Sequence, residues 1–218
     1  IFPIIFIGVL ALIFLSKSTV TIEAGEAGVL WKRFSGGVVT DEPALGEGFH
    51  FVAPWNKVII YEVRQQELTE KMKILSSTGL DIQLEATAWY QPQIDNLGTL
   101  HQTKGENYLE RVIKPAIRSA TRSVVGRYTP EQIYSSKRDV IQNEIFDETK
   151  KIIEDQYVQL NEVLVRDVTL PAAIKDAIER KLGQEQEYLE YEFRLAKAKK
   201  EAEKKKSNSS SKDKSSDR

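Results

Sequence analysis

The chain has 218 residues, with 31 Lys and Arg against 32 Asp and Glu, two His and no Cys. That length gives room for one or two small domains with cores of their own. The near-balance of charge removes the net field of a dedicated nucleic-acid binder, and the absence of Cys excludes a thiol nucleophile, a Cys-ligated zinc and a disulfide framework.

Residues 1–15 are all apolar, Gly or Pro, and the first charge is Lys17. A bilayer-spanning helix takes about 20 apolar residues, whereas this run reaches only ~22 Å if helical. Met72 is the only methionine, so the true start is expected upstream of Ile1. Segment 1–16 reads as a transmembrane anchor, with Phe2, Ile5, Phe6, Leu10, Ile13 and Phe14 as its lipid contacts. The competing reading is a signal peptide cut after Ser18, because Ser16-Lys17-Ser18 places small residues at alternate positions. Cleavage there would release a secreted, soluble lipid- or ligand-binding module.

From residue 19 to 91 the sequence consists of short apolar or alternating runs broken by turn residues, the pattern of consecutive antiparallel strands. In the clearest, Leu80, Ile82, Leu84, Ala86, Ala88 and Tyr90 alternate with Asp81, Gln83, Glu85, Thr87 and Trp89, so one face meets a core and the other stays largely polar. Residues 28–34, 48–52 and 57–63 are shorter strands, separated by Gly36-Gly37, Pro43, Gly46 and Pro54. Within this unit the stretch 48–55 carries Phe49, Phe51 and Trp55 beside Gly and Pro. Aromatic rings are favoured at the membrane–water boundary, so these three are candidate membrane contacts, with packing in the core as the alternative for the two Phe.

Residues 92–170 change period. Tyr108, Leu109, Val112, Ile113, Ala116, Ile117, Ala120 and Val124 recur on one helical face, with a bend expected at Pro115 and an end near Gly126. Thr129-Pro130-Glu131-Gln132 has the form of a capping box and opens a second helix, whose stripe is Ile133, Val140, Ile141, Ile145, Ile152 and Ile153. Val158, Leu160, Leu164, Val168 and Leu170, at even spacing, return the chain as a strand. The order is helix, helix, strand, and the fold class is α+β.

Pro171 begins a last helix, 171–206, in which Ile178, Leu182, Leu189 and Phe193 stand among many charged residues. Glu185 and Glu192 interrupt a strict heptad, whereas the eleven-residue spacing of Ile178 with Leu189 and of Leu182 with Phe193 suits straighter side-by-side packing. These four are the candidate oligomer interface; a solvated helix held by Glu–Lys pairs is the bland alternative. Residues 207–218 hold only Ser, Asn, Lys, Asp and Arg and are expected to be disordered.

No phosphate loop, dinucleotide-binding turn, zinc-protease helix or nucleophile elbow is present. His50 and His101 lack ligand partners at metal spacing, so no metal or cofactor is expected. Glu67 with Glu70, and Asp41 with Glu42, are conceivable carboxylate pairs, but each lies in a stretch that reads as solvated. The tail's Asn208-Ser209-Ser210 matches a glycosylation acceptor only as such tails do by chance.

Taken in order, Glu23-Ala24-Gly25-Glu26-Ala27-Gly28-Val29, residues 46–55 and Tyr61-Glu62-Val63-Arg64 resemble the opening of a prohibitin-type SPFH (band 7) domain. The likeness continues through Ser76-Ser77-Thr78, residues 79–90, Asn107-Tyr108, Lys114-Pro115, Arg127-Tyr128-Thr129 and Val165-Arg166-Asp167-Val168, and covers residues 20–205. It implies an N-terminal membrane helix, a two-part SPFH body (19–91 and 92–170) and C-terminal helices aligned side by side in rings or cages of self or paralogues. Its members organise membrane patches and restrain or chaperone AAA proteases without catalytic residues of their own. The implied setting is a bacterial plasma membrane or the mitochondrial inner membrane, with the body on the periplasmic or intermembrane-space side. The Ser/Lys/Asp tail departs from the family, whose helix usually continues past the position of Lys206.

Overall fold

A computed structural model describes residues 16–213 together with Gly8 and Phe14, and among the described residues its named elements are eight strands, four α-helices, two π-helical turns and a 3₁₀ turn. Strands β1 (Thr19–Ile22) and β4 (Gly48–Phe51) pair antiparallel, with Thr19 opposite Phe51 and Ile22 opposite Gly48. Strand β2 (Glu26–Lys32) lies between β3 (Gly37–Val38) and β5 (Lys57–Glu62). At Gly28 the Leu45 backbone docks through two 2.8 Å hydrogen bonds. A Cβ on Gly28 would stand 2.6 Å from Val58 Cγ1, so only glycine permits this close approach.

The third sheet joins the two halves anticipated from sequence. Strand β7 (Asp81–Pro92) is central, flanked by β6 (Gln66–Leu75) and β8 (Val158–Thr169), all antiparallel. The expected alternation holds on its inner face, where Ile82, Leu84, Ala86, Ala88 and Tyr90 are buried. Thr87, on the nominally polar face, is buried too and bonds Thr69 across the strand pair at 2.9 Å. Arg166 and Asn161 have no opposite number on β7, and β8 bulges at both. At the first bulge Arg138 Nη2 donates to the Val165 and Arg166 carbonyls at 2.6 and 2.5 Å. At the second, Asn161 donates to Gln65 Oε1 at 2.9 Å.

After a 3₁₀ turn, helix α1 (Leu97–Lys104) brings Gly98 against the backbone of Val39, where a Cβ would come within 2.1 Å of the carbonyl oxygen. Ahead of Pro115, where the sequence predicts a bend, the chain forms a π-helical turn, Leu109–Ile113. The proline thereby falls in the first turn of α2 (Lys114–Val125), where no N–H is required. The capping box forms: Gln132 N–H bonds Thr129 Oγ1 at 3.3 Å, and Thr129 N–H bonds Gln132 Oε1 at 3.0 Å. It opens a second π-turn, Gln132–Ser136, and only after it does α3 (Arg138–Ile153) begin. In that helix Ile141, Ile145 and Ile153 are buried, whereas Val140 and Ile152 fall outside the stripe and are exposed. Helices α2 and α3 pack on each other, α2 against β6 and α3 against β8.

Helix α4 (Ala172–Asp213) belongs to a second compact unit, which starts at Leu170. It runs past Lys206, the expected end, because each residue added to an established helix gains a hydrogen bond that outweighs the modest propensity cost of Ser and Asn.

Candidate membrane-facing edge and assembly helix

Of the leader residues singled out from sequence, Phe2, Ile5, Phe6, Leu10 and Ile13 lie outside the described residues, and so does the anchor they define. Among the described residues no helix is long and apolar enough to cross a membrane. Phe14 is described and exposed, with its carbonyl 2.7 Å from the Ser18 hydroxyl that donates to it.

β1 starts directly after this segment, and around its start the structure exposes five aromatic rings. Phe49 and Phe51 are separated by one residue on β4, so both side chains leave on the same side, and their rings meet edge to face at 5.1 Å. They are 60% and 72% exposed, which rules out the core packing that was their alternative. Trp55 follows in the turn after β4, with Phe14 at 6.2 Å on one side and Phe34 at 6.3 Å on the other. Phe34 is the most exposed of the five at 79%. Sequence reading missed it because it closes an ordinary strand; only its contact with Trp55 assigns it to the group.

On α4, Ile178 is only 8% exposed and Leu182 is half-buried, whereas Leu189 and Phe193 are open to solvent. Tyr188, Tyr191 and Leu195 are exposed as well. The sequence reading passed over these three because they lie outside the stripe it followed.

The chemical candidates resolve differently. Glu67 and Glu70 lie on opposite faces of β6, so they form no acid–base pair. Glu67 is half-exposed and pairs with Arg166 at 3.0 Å. Glu70, against the expectation of a solvated stretch, is 7% exposed. It accepts from Arg118 Nε and Nη2 at 3.0 and 2.7 Å, with Lys114 Nζ 3.5 Å from its second oxygen. This buried charge is tolerated because two cations on α2 compensate it. Glu42 is exposed and stands 3.7 Å from Lys32.

His50 Nε2 is 2.7 Å from the Gly46 carbonyl, and His101 Nδ1 is 2.6 Å from the Tyr61 hydroxyl. Tyr61 heads a buried cluster in which Tyr90 donates to Gln66 Oε1 at 3.2 Å and Gln66 Nε2 reaches the Tyr108 hydroxyl at 3.5 Å. Burial, then the neighbouring Glu106 charge, pushes the Tyr61 hydroxyl up to about 12. Burial does the same at Tyr90, also to about 12. These groups stay neutral and bind strands to helices. A shallow groove of about 390 Å³ over β6, β7 and β8 mixes Lys71 and Lys73 with Glu85 and Asp167, and Lys71 already pairs with Glu85 at 3.2 Å. Among the described residues no group of His, Asp and Glu has the arrangement of a metal site.

Residues 20–204 match the family model described as "SPFH domain / Band 7 family". Prohibitin-2, mitochondrial, of Arabidopsis thaliana is 28% identical over 83% of this chain and 62% of its own length. Prohibitin-1 of Saccharomyces cerevisiae is 26% identical over 81% of this chain and 60% of its own. For Prohibitin-2 of Mus musculus the figures are 27%, 83% and 60%. The chain thus spans about three fifths of the length of these curated relatives. With the family model covering most of the sequence, from the first strand well into α4, the chain belongs to the SPFH domain / Band 7 family.

Proposed function

We propose that the protein is a membrane-anchored, prohibitin-like scaffold. In this reading the apolar leader holds it in a bilayer, the aromatic edge settles into the interface, and copies of the chain or of prohibitin-like paralogues assemble through α4 into rings or cages. Such a fence organises a membrane patch and controls the access of membrane AAA proteases to it, with no bond made or broken by the scaffold itself. The observation that carries the reading is the set of five solvent-exposed aromatic rings around the start of β1, directly after the apolar leader. Rings that combine an apolar body with edge polarity are at their most stable at the membrane–water boundary. One of the prohibitin relatives is named as mitochondrial, which supports a mitochondrial setting; in this reading the membrane is the mitochondrial inner or a bacterial plasma membrane, with the body on the intermembrane-space or periplasmic side.

Detergent extraction from native membranes followed by sizing tests this. A large, discrete particle retained in the membrane fraction until detergent is added is the expected result. A soluble monomer at every concentration, with an N-terminus starting after Ser18, would instead identify the secreted module.

A further inference from the structure

Charge is polarised along the strands that end at the aromatic edge. Residues 14–22, 27–40 and 48–61, which build that edge and the strands behind it, carry Lys17, Lys32, Arg33 and Lys57 and no acid, in a chain whose charges nearly cancel as a whole. The register of β2 on β5 sets the direction: Glu26 stands opposite Glu62 at one end, and Trp31 opposite Lys57 at the other. Five residues at about 3.4 Å each put ~17 Å between the two ends. Glu23 and Glu47 join the acidic end, where the Glu23 N–H bonds Glu26 Oε2 at 3.3 Å and the Gly25 N–H bonds Glu47 Oε1 at 2.7 Å. Arg64 stands there too, donating to the Ala24 carbonyl.

Two of the four cations flank the exposed rings. Lys57 follows Trp55 by two residues and faces Trp31 across the strand pair. Arg33 precedes Phe34, and its N–H bonds Asn56 Oδ1 at 3.2 Å, which brings it beside the Trp55 turn. Both are exposed, and among the described residues neither side chain is in an ion pair. Lys32, by contrast, is engaged by Glu42 at 3.7 Å. Lys17, also exposed, follows Phe14 by three residues.

We propose that Arg33 and Lys57, assisted by Lys17, bind phospholipid headgroups of net negative charge, so that the aromatic edge selects anionic lipid around it. This rests on the membrane-edge reading above and adds a headgroup class to it. The Arg33 guanidinium fits two phosphate oxygens at once, and the Lys57 ammonium acts as a point charge. In phosphatidylcholine the headgroup's own ammonium cancels the phosphate; in phosphatidylglycerol nothing does. Each Lys or Arg at an anionic surface is worth ~1 kcal/mol, about fivefold in preference. The acidic end lies farther back than the Debye length of about 8 Å at physiological salt, so it leaves this attraction standing. The rings thus set depth and the cations set lipid choice.

The test uses full-length protein in vesicles that mix phosphatidylcholine and phosphatidylglycerol equally, with brominated, quenching chains on one lipid or on the other. Trp55 emission, taken as the difference from Trp55→Phe, is expected to dim about twofold more when the bromine is on phosphatidylglycerol. Arg33→Gln/Lys57→Gln should make the two lipids equal while dimming itself persists, and Arg33→Lys/Lys57→Arg should keep the preference. Inorganic phosphate should weaken the preference no more than sodium chloride of equal ionic strength. Equal dimming in the unaltered protein, or a preference that survives Arg33→Gln/Lys57→Gln, overturns the headgroup site and leaves the membrane edge standing. So does loss of the preference to inorganic phosphate alone, which would identify a soluble phosphate ligand. No dimming from either lipid sinks the membrane edge and this site together.

Discussion

Glu70 shows how much of this fold turns on single polar side chains placed where the sequence pattern calls for apolar ones. Its carboxylate faces inward from β6 and is held by Arg118 and Lys114 from α2. Removing a cation leaves a buried charge under-compensated, so Arg118→Ala should cost about 2 kcal/mol in urea unfolding. Glu70→Ala should cost less, because it removes the buried charge itself, and the double variant should cost less than the two single losses added; strict additivity would show that the pair is not coupled. The tyrosine cluster makes a pH prediction. Tyr61 and Tyr90 ionise near 12 in the fold against about 10 in the unfolded chain. Between those values the unfolded chain loses protons that the native state keeps, so stability falls as pH rises from about 10 toward 12 and is fully present below about 10. Melting temperature followed through that window should drop, and less steeply in Tyr61→Phe and Tyr90→Phe. A flat profile in the native protein would show that these hydroxyls are not held neutral.

At the level of elements, β8 is kept in place by a helix side chain. Arg138 closes the bulge at Arg166 by donating to the Val165 and Arg166 carbonyls, and Arg138→Ala, which removes that donor, should cost about 1–3 kcal/mol. Arg138→Lys, which lacks the planar fork, should recover only part of it in the same denaturation experiment. Gly183, within α4, has open space around its missing Cβ. Gly183→Ala should therefore strengthen this helix by about 1 kcal/mol, read as slower amide exchange around it. What the sequence made legible follows from which of these elements carry their own pattern. β7 has strict alternation, α2 a clean helical face, and the Thr129 cap its own local chemistry, so all three were readable. β6 was not, because Glu70 occupies an inward position and its neutralising partner lies 48 residues away. α1 was missed because eight residues with Leu97 and Leu100 as its buried side-chain anchors hold too little periodicity. The aromatic edge was half legible: Phe49, Phe51 and Trp55 are clustered in sequence, whereas Phe34 joins them only through the turn after β2.

For the whole molecule, the decisive question is where the aromatic edge resides, and Trp55 reports on it. The chain has three Trp; Trp31 and Trp89 are half-buried in strands, and Trp55 is the most exposed of them. Exposed rings such as Phe34, Phe49, Phe51 and Trp55 hold little of the fold together, since the three Phe leave more than half of their surface in water and Trp55 nearly half. Leaving them there costs free energy that burial in lipid would recover, at about 25 cal/mol per Å² of apolar surface removed from water. In full-length protein reconstituted into vesicles, lipid-attached quenchers should therefore dim Trp55 while an aqueous quencher has little effect. Trp55→Phe should remove the lipid-quenched fraction and leave the signal of Trp31 and Trp89. The triple variant Phe34→Ser/Phe49→Ser/Phe51→Ser should shift its melting temperature by no more than about 5 °C, because surface substitutions of this kind change stability by only ~0.5 kcal/mol each. In that variant Trp55 should become open to the aqueous quencher, since the rings that hold it at the interface are gone. If Trp55 in the unaltered protein is instead quenched from the water side, the edge stands clear of the bilayer, and the leader alone carries the attachment.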